Sequence, residues 1–224
     1  MFDAIALTYD RLNHILSFGL DYGWRRKAIS MLAEKRGGAF LDIAAGSGDM
    51  SIEALRLQPE KVVASDFANQ MLLALREKLR GVGESERISL LSCDALSLPF
   101  ARESFDATMT AFGIRNFENR LQSLKEMYRV LKPGGIALIL ELTEPTSPLV
   151  SLTYKLYTRT MLPIIGRMIS KSNFAYSYLP ASIAKFPEAK EFVSLMQAAG
   201  FKDAAAHPLT FGAATIFVGK TTEL

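Results

Sequence analysis

Acidic residues stand on both sides of a glycine turn in the first quarter of the chain. The turn is Gly46-Ser47-Gly48, with Asp42 before it and Asp49 directly after it. A strand that passes through glycines into a helix leaves backbone N–H groups open to a ligand. Because a carboxylate would repel a phosphate at a helix N-terminus, the two aspartates favour a neutral or cationic ligand over a pyrophosphate.

Two more aspartates follow the next two predicted strands. Asp66 ends the second strand, with Phe67 directly after it, and Asp94 with Ala95 follows the third. An acidic residue about 20 residues beyond a glycine turn accepts hydrogen bonds from ribose hydroxyls in dinucleotide-type folds. An acidic residue after the third strand could accept one from an adenine amino group. A simpler alternative for Asp66 is that it only caps the following helix.

S-adenosylmethionine fits these acidic residues better than a nicotinamide dinucleotide does. The dinucleotide pattern needs a third glycine where this chain has Ser51. S-adenosylmethionine has cationic amino and sulfonium groups, a ribose and an adenine, and it carries no phosphate, so Asp42 or Asp49 would face its methionine end. We therefore expect cofactor contacts from Asp42, Gly46, Ser47, Gly48, Asp49, Asp66, Phe67, Asp94 and Ala95.

The predicted elements alternate between strands and helices up to residue 142, which indicates a doubly wound parallel sheet. The first five predicted strands are 39–44, 61–65, 88–92, 107–112 and 136–142. Two further strands, 201–205 and 213–218, should form an antiparallel hairpin at the sheet edge. The sequence therefore predicts an α/β, Rossmann-like fold with a mostly parallel seven-stranded sheet. Arg115 and Asn116 follow the fourth strand, at the edge where open α/β sheets bind ligands.

We expect one domain made of four parts. These are an N-terminal helical cap (1–36), a cofactor-binding core (37–148), a helical insertion after strand five (149–180) and a final helix and hairpin (181–224). The cap either covers the sheet or closes over a bound ligand through Tyr9 and its neighbours.

The insertion over 149–180 is rich in large apolar and aromatic residues. Its charged residues are all basic, namely Lys155, Arg159, Arg167 and Lys171. The segment is either an additional layer of core or an apolar lid with a basic rim. A lid of that kind suits a greasy substrate at an anionic membrane surface.

Composition narrows the class of protein. A net charge of +3 is too small to indicate nucleic acid by itself. The single cysteine, Cys93, excludes an internal disulfide and a cysteine-based zinc site, and His14 and His207 lack ligand spacing, so no metal is expected. No run approaches the roughly 18 apolar residues of a membrane-spanning helix, and residues 1–4 lack the features of a signal peptide. A cytoplasmic location is the simplest expectation.

Six stretches distributed between residue 1 and residue 219 carry a resemblance to a known family. They are MFDAIALTYDRLNHILSFG at 1–19, LDIAAGSGD at 41–49, AFGIRNF at 111–117, RVLKPGG at 129–135, YSYLPASIAKFP at 176–187 and LTFGAATIFVG at 209–219. With them the chain resembles the menaquinone/ubiquinone-biosynthesis C-methyltransferases (demethylmenaquinone methyltransferases), which are class I S-adenosylmethionine-dependent enzymes. The resemblance implies methylation of a prenylated quinol ring carbon and cofactor contacts at Ser47, Asp66, Asp94 and Ala95. Ser47 stands where threonine is usual, and Ala111 where some members have a contacting serine, so that contact should be absent.

The implied chemistry gives roles to the residues after strand four. Carbon attack on a sulfonium methyl needs an electron-rich ring, so a quinol hydroxyl must lose its proton. Arg115 stays protonated and could stabilise the phenolate, with Asn116 orienting the same oxygen. Tyr9 or an ordered water could relay the proton. The 149–180 insertion would hold the isoprenoid tail, with its basic residues at lipid headgroups in transient, peripheral contact with a membrane.

The sequence leaves several alternatives open for the reaction and for the oligomeric state. The favoured reaction is demethylmenaquinol to menaquinol, and C-methylation of a benzoquinol in ubiquinone biosynthesis is the alternative. A non-catalytic, membrane-associated protein that binds S-adenosylmethionine is another. A nucleic-acid methyltransferase is disfavoured because Gly113-Ile114-Arg115-Asn116 replaces the usual proline-containing motif after strand four. The oligomeric state stays open, with a homodimer as one alternative.

Overall fold

The computed structural model describes residues 14, 17–145 and 180–223. In chain order, the elements of this part are α1 Leu20–Ser30, β1 Ala39–Ile43, α2 Asp49–Ala54, β2 Lys61–Asp66, α3 Asn69–Leu79, β3 Ile88–Ser92, β4 Phe105–Ala111, α4 Arg120–Val130, β5 Leu131–Leu142, α5 Ala189–Ala198, β6 Lys202–Leu209 and β7 Ala214–Lys220. Short 3₁₀ turns join several of them, including one at Ile114–Asn116.

The seven strands form one sheet in the order β3-β2-β1-β4-β5-β7-β6. Strands β1 to β5 pair in parallel, whereas β7 runs antiparallel to both β5 and β6. This arrangement confirms the predicted doubly wound sheet with a C-terminal antiparallel hairpin. The direction of winding reverses between β1 and β4, which is where open α/β sheets place their ligand crevice.

Helices cover both faces of the sheet. Helices α1, α2 and α3 contribute to one hydrophobic cluster, and α4 and α5 contribute to a second. Successive residues of β1 alternate between the clusters, with Phe40 in the first and Leu41 in the second. Since side chains of a strand alternate between its two faces, both faces of β1 are buried, and all five of its residues are.

The limits of several elements differ from the prediction. Within the helical cap predicted over 1–36, helix α1 begins at Leu20 and ends at Ser30, so it stops before the end of the cap. Strand β5 begins at Leu131 rather than at residue 136, because buried Leu131 pairs with Phe105 before the register shifts. Strand β6 ends later than predicted because its antiparallel pairing with β7 continues to Leu209, and β7 ends later than predicted because Lys220 still pairs with Ile136 of β5.

Some predictions concern residues outside the described part. Tyr9, most of the 1–36 cap before α1, and all of the 149–180 insertion except residue 180 lie there. Among the residues that the structure does describe, no helix combines the length and the apolar character needed to cross a membrane.

Candidate functional site

A cavity of about 340 Å³ opens at the carboxyl ends of the parallel strands. Most of the predicted site residues line it, namely Asp42, Gly46, Ser47, Asp49, Asp66, Phe67, Asp94, Ala95 and Asn116. They lie at the carboxyl ends of β1 and β2 and in the segments that follow β1, β2, β3 and β4, so the sheet brings together four regions that are distant in sequence. Gly48 and Arg115 are described but are not among the lining residues, and Tyr9 lies outside the described part.

The two glycines of the turn have different tasks. Gly46 has a φ of 57°, and no atom lies within 4 Å of the place where a Cβ would stand. Gly48 has a φ of 82°, but a Cβ there would lie only 2.1 Å from a methyl carbon of Leu75. Leu75 is fully buried on α3. Gly46 therefore leaves room at the cavity, whereas Gly48 lets the turn pack against the helix.

Asp66 organises the turn and the start of α3. Its Oδ2 accepts a hydrogen bond from the Gly46 N–H at 2.8 Å, and its Oδ1 accepts one from the Ala68 N–H at 2.8 Å. The simple capping role considered for Asp66 is therefore present in part. Because Asp66 also lines the cavity, its carboxylate is placed to accept hydrogen bonds from ligand hydroxyls as well as from the backbone.

The neighbouring contacts suit the nucleoside part of a ligand. Phe67 lines the cavity although its aromatic side chain is 80% exposed. Asp94 is exposed, and its Oδ1 accepts a hydrogen bond from the Leu96 N–H at 2.8 Å. Both residues thus offer surface to a ligand at the ends of β2 and β3.

Asp42 is among the residues that line the cavity, and it is completely buried. Its Oδ2 accepts a hydrogen bond from the Ser51 hydroxyl at 2.5 Å, and its Oδ1 has no partner among the described residues. Burial raises the pKa of this carboxyl to about 7, against the opposing effect of the Ser51 hydrogen bond. A carboxyl group among the residues that line the cavity suits a cationic group, so the site fits the amino or sulfonium group of S-adenosylmethionine.

The raised pKa of Asp42 predicts a pH-dependent stability. The unfolded chain releases this proton near the ordinary pKa of 3.8, whereas the folded chain keeps it until about 7. The stability contribution is therefore full below pH 3.8 and is lost as pH rises through about 7. Between about pH 5 and about pH 6.5, we expect the free energy of unfolding to fall by about 2 kcal/mol more in the native chain than in Asp42→Asn.

Chemical unfolding of both chains at several pH values, without cofactor, measures this difference. The Asp42→Asn amide keeps an acceptor for Ser51, so the comparison isolates ionisation. Stability curves that run parallel over this pH range would show that Asp42 ionises normally in the folded chain.

Asp49 belongs to a network of ion pairs at the edge of the same cavity. Its Oδ2 lies 3.5 Å from His14 Nε2 and 3.5 Å from Arg25 Nη2, and its Oδ1 contacts the Lys78 ammonium. Asp21 joins the network through His14 Nδ1 at 2.7 Å and through the Arg25 guanidinium. His14 and the two aspartates are close enough to hold a metal. Since Arg25 and Lys78 already contact these carboxylates, we interpret the cluster as an ion-pair network. Of the two acids considered for the methionine end, Asp42 is the one with an unpartnered oxygen.

Sequence reasoning missed Arg25 as a cavity residue. It lines the cavity and is only 7% exposed, whereas the sequence predicted it only as part of the helical cap. The one local signal was Asp21, four residues earlier, because charges at that spacing meet on a helix. The run Arg25-Arg26-Lys27 gave no sign of which cation is buried.

Arg115 is buried in an ion pair rather than exposed to the cavity. It is 6% exposed, and its Nη1 donates to Glu141 Oε1 at 2.8 Å. Its backbone N–H donates to Glu141 Oε2 at 3.1 Å, and its Nε donates to Ser182 Oγ at 3.3 Å. Glu141 on β5 is completely buried. Arg115 therefore fixes the 3₁₀ turn that carries Asn116 at the cavity.

A doubly wound sheet of this order, with a ligand cavity at its switch point and acidic residues after β1, β2 and β3, defines a class I S-adenosylmethionine-dependent methyltransferase. Solved structures share the fold. A SAM-dependent methyltransferase from Thermotoga maritima, titled a possible histamine N-methyltransferase, has a TM-score of 0.68 at 21% identity, covering 99% of this chain and 98% of its own. A putative S-adenosyl-L-methionine-dependent methyltransferase from Methanococcus maripaludis has a TM-score of 0.67 at 16% identity, covering 99% and 94%.

The chain belongs to the ubiE/COQ5 methyltransferase family, whose model matches residues 1–221. It is 44% identical to the demethylmenaquinone methyltransferase of Bacteroides fragilis over 97% of this chain and 89% of the relative. It is also 44% identical to the ubiquinone/menaquinone biosynthesis C-methyltransferase of Geobacter sulfurreducens, over 98% of this chain and 86% of the relative. The predicted family is therefore confirmed, and the protein is a methyltransferase that uses S-adenosylmethionine.

Proposed function

We propose that this methyltransferase acts on a ring carbon of a prenylated naphthoquinol and converts demethylmenaquinol to menaquinol. The proposed identity of the substrate rests on the 44% identity to the Bacteroides fragilis demethylmenaquinone methyltransferase over 97% of this chain. The location of Asn116 supports it, because this polar residue after β4 lines the same cavity as the acidic residues after β1, β2 and β3.

For the cofactor, we assign each part of the cavity to one part of S-adenosylmethionine. Asp66 accepts hydrogen bonds from the ribose hydroxyls, and Asp94 with Ala95 contacts the adenine, with Phe67 between them. Asp42, which also lines the cavity, faces the cationic end. The remaining contacts come from the turn, with Gly46, Ser47, Gly48 and Asp49. When bound, S-adenosylmethionine supplies an electrophilic methyl group on its sulfonium.

At the substrate end, the polar groups after β4 favour the ionised quinol. Asn116 lies at the cavity and can donate its amide N–H to the quinol oxygen as negative charge develops there. Arg115 acts as a positioning residue, since its guanidinium is already bonded to Glu141 and Ser182. Tyr9 is the candidate for relaying the hydroxyl proton, on the basis of the sequence alone. Alignment of the acceptor carbon by these groups then accounts for much of the rate.

The isoprenoid tail and the membrane are assigned from composition. The segment 149–180 has large apolar residues and only basic charges, which suits a tail-binding lid at an anionic headgroup surface. We propose that it forms part of a single domain with the rest of the chain, 1–224. The protein would then work in the cytoplasm, in transient peripheral contact with the membrane. A homodimer is compatible with this arrangement.

A methyl-transfer assay tests the proposal. The chain is incubated in detergent with demethylmenaquinol and S-adenosylmethionine labelled in its methyl group, and the quinone products are identified by mass. We expect the labelled methyl group in the naphthoquinol ring. The demethylated benzoquinol is assayed in parallel as the matched alternative substrate. Transfer to the benzoquinol alone would replace the proposed substrate. Cofactor binding without transfer to either ring would favour the non-catalytic alternative.

A further inference from the structure

Helix α1 brings one arginine into the wall of the cofactor cavity. Arg25 lines the cavity and is 7% exposed. The next residue, Arg26, has a side chain that is 66% exposed and lies 3.6 Å from Glu53. A buried guanidinium is costly unless its N–H groups find acceptors, so the contacts of Arg25 indicate what it is built to bind.

The guanidinium of Arg25 is held in place but not saturated. Its Nη1 donates to Asp21 Oδ2. Its Nη2 lies 3.5 Å from Asp49 Oδ2, a distance longer than that of a strong hydrogen bond. Its Nε is buried and has no hydrogen-bond partner in the described part of the chain. The guanidinium carbon lies 5.1 Å from the centre of the Phe112 ring, which supports its flat face. A guanidinium has five N–H donors, so Arg25 retains donors for an anionic ligand.

The strand order places Arg25 at one end of the cavity. Asp66 and Asp94 follow β2 and β3, which lie on one side of β1 in the sheet. Phe112, against which Arg25 packs, follows β4 on the other side of β1. A cofactor whose adenine lies near Asp94 and whose ribose lies near Asp66 therefore extends its methionine half toward Arg25. That half carries the one carboxylate of S-adenosylmethionine.

We propose that Arg25 binds the carboxylate of the methionine half of S-adenosylmethionine. The inference rests on the cofactor orientation given under the proposed function, and it is independent of the quinol. Asp21 and Phe112 orient the guanidinium, and a carboxylate ligand matches its planar fork of donors. Asp42, which lines the same cavity, would receive the cationic part. The N-terminal helix thus takes part in cofactor recognition and does not only cover the sheet.

The test compares two ligands that differ in this carboxylate alone. S-adenosylmethionine and its decarboxylated form are titrated calorimetrically into the native chain and into Arg25→Gln. We expect the native chain to prefer S-adenosylmethionine by about 30-fold or more, which is the scale of losing one partner of a buried charged hydrogen bond. In Arg25→Gln the preference should shrink to about threefold or less, because a neutral amide hydrogen bond is far weaker. Arg26→Gln, the adjacent exposed arginine, should keep the native preference.

A merely structural role predicts a different pattern. If Arg25 only pairs with Asp21 and Asp49, its replacement would weaken both ligands by the same factor, and the proposal would be wrong. A native chain that binds both ligands equally would also overturn it, whether or not quinol methylation is observed. Arg25→Lys keeps the charge but not the planar fork, so its preference should be intermediate. Its measurement decides the matter if Arg25→Gln does not fold.

Discussion

Asp66→Ala is expected to lower the affinity for S-adenosylmethionine by about 100-fold or more. Each hydrogen bond to a charged group contributes about 1.5–3 kcal/mol, and the ribose offers two hydroxyls, so the combined loss is about 3 kcal/mol or more. The variant also loses the acceptor for the Gly46 N–H, which fixes the turn beneath the ligand. Calorimetric titration with S-adenosylmethionine measures the change.

Asp106 provides a matched control for this variant. Its Oδ2 accepts a hydrogen bond from the Ala39 N–H at 2.9 Å and pairs with Lys132, at the opposite edge of the sheet from the cavity. Asp106→Ala therefore removes a comparable backbone contact without touching the cofactor site. It should lower stability and leave cofactor affinity unchanged. If Asp66→Ala binds within about threefold of the native chain, Asp66 only caps α3, since a lost charged hydrogen bond costs more.

The second large effect is expected at the buried pair of Arg115 and Glu141. Glu141→Gln should lower the free energy of unfolding by about 3–5 kcal/mol, because it leaves the Arg115 charge buried without its partner. Turnover should also fall by roughly tenfold or more, since the turn that carries Asn116 loses part of its anchor. Cofactor affinity should change little, because neither residue of the pair lines the cavity in the described structure. Chemical unfolding, steady-state kinetics and calorimetry measure the three quantities.

Two further variants distinguish the effect of an unpaired buried charge on stability from the effect of lost packing. The double variant Arg115→Met/Glu141→Gln should be more stable than Glu141→Gln alone, because it contains no unpaired buried charge. Glu77→Gln, which breaks an exposed pair with Arg80, should leave stability unchanged within measurement error. Stability losses from Arg115→Met and Glu141→Gln that simply add would contradict the paired arrangement. An equal fall in cofactor affinity and turnover would show that the pair supports the whole cavity.

Much of the fold could be predicted because its signals are local in sequence. Buried parallel strands appear as short apolar runs, such as Ala39–Ile43, and helix α4 ends at Val130, shortly before the helix-breaking sequence Pro133-Gly134-Gly135. The alternation of these patterns with helices leaves few topologies open. Strand β5 began earlier than predicted because the pairing of Leu131 with Phe105 is a contact between strands, which no local pattern reports.

The candidate site could likewise be predicted from the sequence only in part. The positions of Asp42, Asp66 and Asp94 relative to strand ends were visible in the sequence, and all three line the cavity. The roles of Asp49 and Arg115 could not be read in the same way, because their charges are engaged by other parts of the chain. Whether a charged side chain is available to a ligand depends on which other side chains pair with it in the fold, not on its position along the chain.

The sequence by itself determined the family, the cofactor class and the order of the elements around the glycine turn. The conformation of the turn, the burial of the strands and the acidic residues at strand ends depend on residues that are close together in the sequence. These features can therefore be predicted from the sequence alone. Only the tertiary structure decided which charges remain for ligands. Lys78 engages Asp49 from 29 residues away, and Glu141 engages Arg115 from 26 residues away. Burial makes such pairings strong and exclusive, because a charge removed from water must be satisfied by whatever the fold brings next to it.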